Sequence, residues 1–181
     1  MKRFSIVSIL IVFAILIRNS EQDLDFVTSG PMCIMNQAHG EYLYLNRDEI
    51  FDTDRRYART ARDTNLLSGS QVWYIERNDD GSVKIRNRDY NEYLYAPSND
   101  FAYDNERRNV FAWQRKGEAV IEGDWWLDFF NDNSISIRSK TYDEYMYAAG
   151  DGFASRTTRP VFTWRDRNQQ VSQGYWFMRR C

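Results

Sequence analysis

The sequence contains little of the residues on which most metal sites and nucleophilic catalysis depend. It has one histidine, His39, and two cysteines among 181 residues. A metal site with two histidines is therefore excluded, and so is Ser-His or Cys-His catalysis that needs a second histidine. His39 lies in a polar segment, residues 37–40, that is typical of an exposed turn. No acid–base arrangement is visible, so we predict no enzymatic activity, no cofactor and no metal.

Proline, N-glycosylation signals and helical periodicity are also scarce. There are three prolines, too few for a proline-rich linker, and the lack of an Asn-x-Ser/Thr sequence predicts no N-glycosylation. No stretch of about ten residues keeps an apolar stripe at helical spacing. Basic residues do not outnumber acidic ones, since the formal net charge is −2. This charge excludes a typical nucleic-acid binder. Aromatic residues, by contrast, make up 16% of the chain, a composition suited to strands and binding surfaces.

Residues 1–20 have the pattern of a secretory signal peptide, with cleavage expected between residues 17 and 22. Lys2 and Arg3 form a positive start, and the apolar run over residues 4–17 is shorter than the about 20 residues of a membrane span. Removing Lys2, Arg3 and Arg18 leaves 21 of the 24 basic residues against 26 acidic ones, a net charge of about −5. We predict a secreted, extracellular protein without stable membrane insertion; an uncleaved signal anchor is the alternative.

The two cysteines lie at opposite ends of the expected mature chain. Cys33 is near its start and Cys181 is the last residue. An even number of cysteines in a secreted protein predicts a disulfide, and two free thiols or an intermolecular bond are the alternatives. An intramolecular bridge fits a closed repeat fold, which brings its first and last strands together. We expect a monomer.

A tetrapeptide of the form Glu-Tyr-(Leu/Met)-Tyr occurs three times. It begins at Glu41, Glu92 and Glu144, at intervals of 51 and 52 residues. Other positions keep the same interval: Arg55-Arg56 corresponds to Arg107-Arg108, and residues 110–113 correspond to residues 161–164. The first repeat departs from the pattern, because Arg59-Thr60-Ala61 replaces the Phe-x-Trp of the other two. An internal repeat of this length predicts a closed repeat fold.

The repeats predict an all-β protein. We expect a short acidic leader without periodicity over residues 21–29 and one domain over residues 30–181, with repeats over residues 31–77, 78–130 and 131–181. Each repeat contains about four short strand patterns separated by turn residues. Three such units favour a pseudo-threefold β-trefoil, because a propeller usually needs four or more blades. The expected core positions shared by the repeats are Leu43, Leu94, Met146, Trp73, Trp126 and Trp176.

Repeated charged residues have a structural interpretation. Glu41, Glu92 and Glu144 are related by the repeat and are expected to lie far apart, whereas a glycosidase carboxylate pair lies within about 5–10 Å. We expect these acids to fix the hairpins or to pair with nearby arginines. The arginine strips at residues 55–56, 107–108 and 156–159 suit either an anionic glycan or phosphate, or a solvated, self-paired surface.

Two features suggest ligand binding. Gln71-Val72-Trp73 matches the Gln-x-Trp signature of ricin-type lectin repeats, although the sugar-binding Asp of that family cannot be placed and the Trp is expected to be core. Strand alternation puts three tyrosines opposite the expected core residues, beside irregular loops. The ligand-binding candidates are Tyr44, Tyr95, Tyr147, Asn99 and Asp151. The alternative is that these rings cover the end of a barrel or meet around its threefold axis.

Residues 85–94, followed by Arg107-Arg108 and Phe111-Ala112-Trp113, resemble the C-terminal trefoil of microvitellogenin-type lepidopteran haemolymph lipoproteins. Those proteins carry similar Asn-Arg-x-Tyr-Asn hairpins and Phe-x-Trp endings. The resemblance covers residues 78–178 and implies a β-trefoil secreted into insect haemolymph or saliva. The chain lacks that family's helical N-terminal domain, which argues against storage and lipid carriage. It also resembles small tryptophan-rich secreted proteins of blood-feeding insects.

From these observations we predict a secreted, non-enzymatic binding protein. The first hypothesis is lectin-like recognition of an extracellular glycan by exposed aromatics and loops. The alternatives are a protein-binding or protease-inhibitory effector of saliva or haemolymph, and a relative of nutrient or lipid carriers. Fold alone does not choose among them, because trefoils serve as lectins, inhibitors and cytokines.

Overall fold

The computed structural model describes residues 21–62, 70–115, 118, 120–155, 157–166 and 170–181. The expected signal peptide, residues 1–20, lies outside the described residues, and so does Arg156 of the third arginine strip. Within the described part of the chain, no helix is long and apolar enough to cross a membrane.

In the described part of the chain, thirteen strands follow the three repeats. The first repeat contains β1 (Met32–Asn36), β2 (Glu41–Ile50), β3 (Arg55–Ala61) and β4 (Val72–Arg77). The second contains β5 (Val83–Asn87), β6 (Tyr93–Tyr95), β7 (Arg107–Asn109), β8 (Phe111–Trp113) and β9 (Asp124–Phe129). The third contains β10 (Ile135–Ser139), β11 (Tyr145–Ala148), β12 (Thr158–Trp164) and β13 (Tyr175–Arg180). Short 3-10 turns lie at Asn99–Phe101, Ile121–Gly123, Asp151–Phe153 and Ser172–Gly174.

The strands form a barrel and a cap of hairpins. Six strands pair successively in the closed order β1–β4–β5–β9–β10–β13 and back to β1. Six of the other seven strands form the hairpins β2–β3, β6–β8 and β11–β12. Strand β3 pairs with β8 and β12, and the short strand β7 pairs with β12, so the hairpins are joined across the cap. A closed barrel removes the unpaired edges that an open sheet would expose. This all-β arrangement is consistent with a β-trefoil.

The turn that precedes each repeated glutamate has the same backbone geometry. Gly40, Asn91 and Asp143 have φ values of +63°, +55° and +58°. This left-handed region is open to glycine and is tolerated best by Asn and Asp among the other residues. The chain therefore reverses at the same point in all three repeats, and each Glu-Tyr-(Leu/Met)-Tyr segment starts a strand in the same register.

The core repeats around the barrel axis. Leu43, Leu94 and Met146 are fully buried. The indole nitrogens of three buried tryptophans donate to their carbonyl oxygens: Trp73 to Leu43 at 3.0 Å, Trp125 to Leu94 at 3.1 Å and Trp176 to Met146 at 3.0 Å. The expectation for Trp126 was wrong, because Trp126 is only half-buried and its neighbour Trp125 fills the shared position. Along β9 the two residues point to opposite sides of the strand, so only one reaches the core.

Three buried ion pairs join successive repeats. Arg56 Nε lies 3.0 Å from Glu92 Oε2, and Arg108 Nε lies 2.9 Å from Glu144 Oε2. Arg159 completes the ring with Glu41. The repeated glutamates therefore pair with arginines, as expected. The expectation of a solvated arginine surface is wrong for these three arginines, which are all buried.

The two ends of the chain are tied to the barrel. Cys33 and Cys181 form the expected disulfide. The expectation of an acidic leader without periodicity was wrong: residues 21–28 are helical, and Leu24 and Val27 are buried in the main core. Arg180 donates to Phe26 O at 2.9 Å and holds the end of this helix against the last strand. The helix escaped notice because two apolar residues three positions apart are too few for a periodic signal.

Candidate functional site

The hairpin cap contains three junctions between neighbouring repeats, and two of them are filled with aromatic rings. At the first–second junction the Tyr95 ring lies 6.1 Å from Phe111 and 5.9 Å from Trp113. At the second–third junction the Tyr147 ring lies 6.0 Å from both Phe162 and Trp164. Phe-x-Trp thus supplies the two rings that pack on the tyrosine at each junction.

An arginine completes each aromatic junction. The Arg55 guanidinium stacks 3.8 Å above the centre of the Phe101 ring and is ion-paired with Asp52. At the equivalent position, Arg107 lies 4.7 Å above Phe153 and is ion-paired with Asp104. Cation–π contact and charge pairing together leave little open space at either junction.

The third–first junction lacks these side chains. Tyr44 takes the place of Tyr95 and Tyr147, but Arg59 and Ala61 replace the Phe and Trp that would pack on it. Thr158 occupies the position of Arg55 and Arg107, directly before the ion-paired Arg159. A cleft of about 580 Å³ opens here. The departure of the first repeat from its sequence pattern therefore has a structural consequence, which is an open junction.

All three repeats contribute to this cleft, which we call the junction cleft. Strand β2 forms one wall, the turn before β12 the opposite wall, and the β5–β6 hairpin tip the end. The lining residues are Tyr44, Leu45, Asn46, Arg47, Glu49, Ser70, Asp89, Tyr90, Ser155, Thr157 and Thr158. Most of them carry a hydroxyl, amide or charged group, so the cleft suits a polar ligand.

The wall formed by β2 is held by the buried arginine of the first repeat. Arg56 donates to Asn46 O at 2.8 Å and to Arg47 O at 2.9 Å. Its guanidinium also stacks 4.3 Å above the ring of Tyr90, which faces the cleft. The pair with Glu92 thus anchors two sides of the site at once. A binding site supported in this way is largely formed before the ligand arrives, which lowers the entropic cost of binding.

Tyr44 is neutral at physiological pH. Burial raises the pKa of its phenol to about 12, and the nearby Glu49 carboxylate acts in the same direction, whereas Arg59 and hydrogen bonds from Asn46 and Thr158 oppose the rise. Glu49 is itself ion-paired with Arg59 at 2.7 Å. The residue is buried, and its neutral phenol keeps a hydroxyl group that can both donate and accept a hydrogen bond.

The charges in the junction cleft are mixed. Asp89 is exposed and lies 3.2 Å from the Arg88 guanidinium. Arg47 is exposed and has no ion pair among the residues that the structure describes. Neither sign dominates, which favours a neutral, hydroxyl-rich ligand over a polyanion. Within the described ranges, no cluster of His, Cys, Asp and Glu is suited to hold a metal ion.

A second cleft adjoins the first. It has a volume of about 430 Å³ and shares Ser155, Thr157 and Thr158 with the junction cleft. Its other lining residues are Glu41, Arg62, Asp151, Ala154 and Arg159. The two clefts together form a polar trough across the third–first junction.

The structure separates the five ligand-binding candidates named from the sequence. Tyr44 lines the junction cleft and Asp151 lines the adjoining one, so these two lie on one trough. All three tyrosines are buried, which agrees with the alternative that these rings cover part of the barrel, and Tyr95 and Tyr147 lie under aromatic rings. Asn99 accepts hydrogen bonds from Arg108 at 3.0 Å and Arg165 at 3.2 Å, which gives it a structural role.

Sequence reasoning missed most of the lining residues. Asn46, Asp89 and Thr158 lie in different repeats, and nothing in their local sequence marks them as neighbours. The sequence does contain one indication of the cleft. The first repeat lacks the Phe-x-Trp motif, and the junction that this motif would fill is the third–first junction. His39 was also misjudged, because it is half-buried and desolvation lowers its pKa.

The comparisons with known proteins bear on the fold. No protein-family model matches the chain. No curated protein sequence matches it either. A salivary protein from Culex quinquefasciatus, of the Cysteine and Tryptophan-Rich (CWRC) family, is similar in structure, with a TM-score of 0.66 and 21% identity over 84% of this chain and 94% of that chain. The designed threefold symmetric protein ThreeFoil matches with a TM-score of 0.66 and 12% identity over 83% of this chain and 99% of that one.

A lectin is also among the similar structures. The Macrolepiota procera ricin B-like lectin, solved in complex with lactose, has a TM-score of 0.61 and 15% identity over 85% of this chain and 97% of the lectin. At these identities the likeness shows the fold alone. It supports the trefoil part of the resemblance seen in the sequence, whereas the likeness to salivary proteins beyond the fold and to microvitellogenin-type lipoproteins stays an expectation.

Proposed function

We propose that this chain is a secreted, non-enzymatic protein that binds a carbohydrate in the junction cleft. The observation that carries the proposal is the open third–first junction, where polar side chains replace the aromatic filling of the other two. A sugar presents hydroxyl groups that both donate and accept hydrogen bonds, and the cleft lines up hydroxyl, amide and carboxylate groups that complement them. Tyr90, which is half-buried, supplies ring surface for the apolar face of a sugar.

Secretion rests on two further observations. The disulfide between Cys33 and Cys181 is stable in an oxidising, extracellular environment. The sequence pattern of residues 1–20 predicts export. The similar salivary and lectin structures agree with an extracellular binding role.

The test compares glycan-array binding by wild-type protein and a variant in which the cleft is filled. In Thr158→Arg, the arginine takes the position that Arg55 and Arg107 occupy at the filled junctions. We expect this variant to abolish glycan binding. Its free energy of unfolding should stay within about 1 kcal/mol of the wild-type value. Asp89→Asn, which removes one acceptor charge without changing shape, is expected to weaken binding about tenfold.

Phe130→Ser is the matched control. Phe130 is a partly exposed aromatic on the other side of the molecule, where its ring packs 5.3 Å from Tyr175. This variant should bind every glycan that the wild type binds. Binding that Thr158→Arg retains would move the glycan site elsewhere, and folded wild-type protein that binds no glycan would exclude the carbohydrate function.

A further inference from the structure

The two aromatic junctions share an exposed surface on the hairpin cap. Phe51 and Tyr103 are equivalent residues in the β2–β3 and second-repeat hairpin turns, and they are 43% and 53% exposed. Phe51 contacts the Phe101 ring at 6.1 Å, and Tyr103 contacts the Phe153 ring at 6.0 Å. Phe153 is itself 38% exposed. We call these four residues the cap patch.

One loop joins the two halves of the cap patch. Phe101 belongs to the first–second junction and Tyr103 to the second–third junction, and only Ala102 separates them. The Cα atoms of residues two positions apart in a chain lie within about 7 Å of each other. Exposed aromatic rings of this kind, grouped on a rigid surface, are a feature of protein-binding sites.

Carboxylates surround the rings. Asp100 and Glu106 lie next to these rings in the sequence and are exposed, and Asp100 has no ion pair within the part of the chain that the structure describes. Asp52 and Asp104 are paired with Arg55 and Arg107. Arg165 also reaches this region and donates a hydrogen bond to Asp104 O at 3.1 Å. The two segments that carry the rings, residues 51–55 and 100–107, thus contain five acidic residues and two arginines, an excess of negative charge.

Two arginines of this chain already make the kind of contact that we expect a partner to make with the cap patch. Arg55 and Arg107 each place a guanidinium on an aromatic face while a carboxylate holds it from the side. The outer faces of Phe51 and Tyr103 offer the same combination to a cation from outside, with Asp100 and Glu106 close along the chain. A cation of the partner would then make both a cation–π contact and a charge pair, as Arg55 and Arg107 do inside the two junctions.

We propose that the cap patch is a docking surface for a basic segment of a partner protein, with arginine or lysine side chains set among apolar ones. The apolar part of such a segment covers the rings, and its cations meet the surrounding carboxylates. This surface is distinct from the junction cleft, which lies at the third–first junction. Protein docking and carbohydrate binding are therefore separable by mutation.

The test uses labelled nonapeptides and fluorescence anisotropy with the folded, oxidised protein. The probe alternates arginine and leucine; the matched control alternates glutamate and leucine, with the same apolar content. We expect saturable binding of the arginine peptide only, weakened as NaCl is raised from about 50 to about 300 mM. Tyr103→Ser should weaken it about fivefold, and Asp100→Asn with Glu106→Gln should do the same.

Two control variants separate the patch from general effects. Phe130→Ser removes an aromatic of similar exposure far from the cap, and Asp79→Asn removes an exposed acid outside the patch; both should bind the arginine peptide as the wild type does. The proposal is overturned if the arginine peptide does not bind, if the glutamate peptide binds equally well, or if Tyr103→Ser and Phe130→Ser behave alike. It is also overturned if Tyr103→Ser leaves binding of the arginine peptide unchanged.

Discussion

Arg159 in the last repeat is ion-paired with Glu41 in the first, with 3.1 Å between Arg159 Nε and Glu41 Oε2. Arg159 also donates to Ala149 O at 2.8 Å and to Asp151 Oδ1 at 3.0 Å. On the other side, the Thr60 hydroxyl donates to Glu41 at 2.7 Å. The pair closes the ring that Arg56–Glu92 and Arg108–Glu144 begin, and it forms the floor of the cleft that adjoins the candidate site. Closing the repeat and supporting the site are thus one interaction.

Breaking this pair on one side should be costly. Arg159→Met leaves the Glu41 carboxylate buried with only the Thr60 hydroxyl as a partner, and we expect the free energy of unfolding to fall by about 3–5 kcal/mol. The double variant Arg159→Met with Glu41→Gln removes both charges and should recover part of the loss. Urea unfolding of the wild type, both single variants and the double variant measures the coupling.

An exposed ion pair provides the comparison. Arg77 and Asp25 are 3.4 Å apart on the surface, and Arg77→Met is expected to cost at most about 1 kcal/mol. Equal losses for Arg159→Met and Arg77→Met would show that the ring contributes nothing beyond an ordinary surface pair.

The two adjacent tryptophans of β9 should differ in their importance for stability. Trp125 is fully buried and donates to Leu94 O. Trp125→Ala therefore leaves a cavity and an unpaired carbonyl, with an expected loss of about 3–5 kcal/mol in the free energy of unfolding. Trp126→Ala should cost less than half of that, because this side chain is only half-buried. Guanidinium-induced unfolding of the two variants measures this difference. Equal losses in the free energy of unfolding would contradict the assignment of Trp125 to the core.

This pair of residues also shows how far the sequence leads. The interval between Glu41, Glu92 and Glu144 was enough to predict three repeats, strands and a shared core, because symmetry places equivalent residues in equivalent environments. It did not decide between Trp125 and Trp126, because each is a large aromatic and a shift of one position reverses the face of a strand. The junction cleft was harder still, since it is formed by residues from three repeats that only the folded chain brings together.

The disulfide should stabilise the fold through the unfolded state. Cys33 and Cys181 are 148 positions apart, so the bridge restrains nearly the whole domain. Chain-entropy arguments give a contribution of about 4–5 kcal/mol for a loop of this length. We expect Cys33→Ser with Cys181→Ser to lower the midpoint of thermal unfolding by more than about 10 °C. Reductant should lower the wild-type midpoint by the same amount and leave the double variant unchanged.

High pH should destabilise the protein through its buried tyrosines. Burial raises the pKa of Tyr44 and of Tyr147 from 10.0 to about 12, and it raises the pKa of Tyr95 as well. The unfolded chain loses these protons near pH 10, so the stability that the neutral phenols contribute is complete below pH 10 and is lost as the pH rises from about 10 to about 12. Absorbance at 295 nm should show a late group of tyrosines that titrates above pH 11, and the free energy of unfolding should fall over the same range. Tyr44→Phe should remove one tyrosine from that group, and the free energy of unfolding should then fall less steeply with pH. Complete ionisation of all tyrosines by pH 11 while the protein is still folded would show that these rings are open to water.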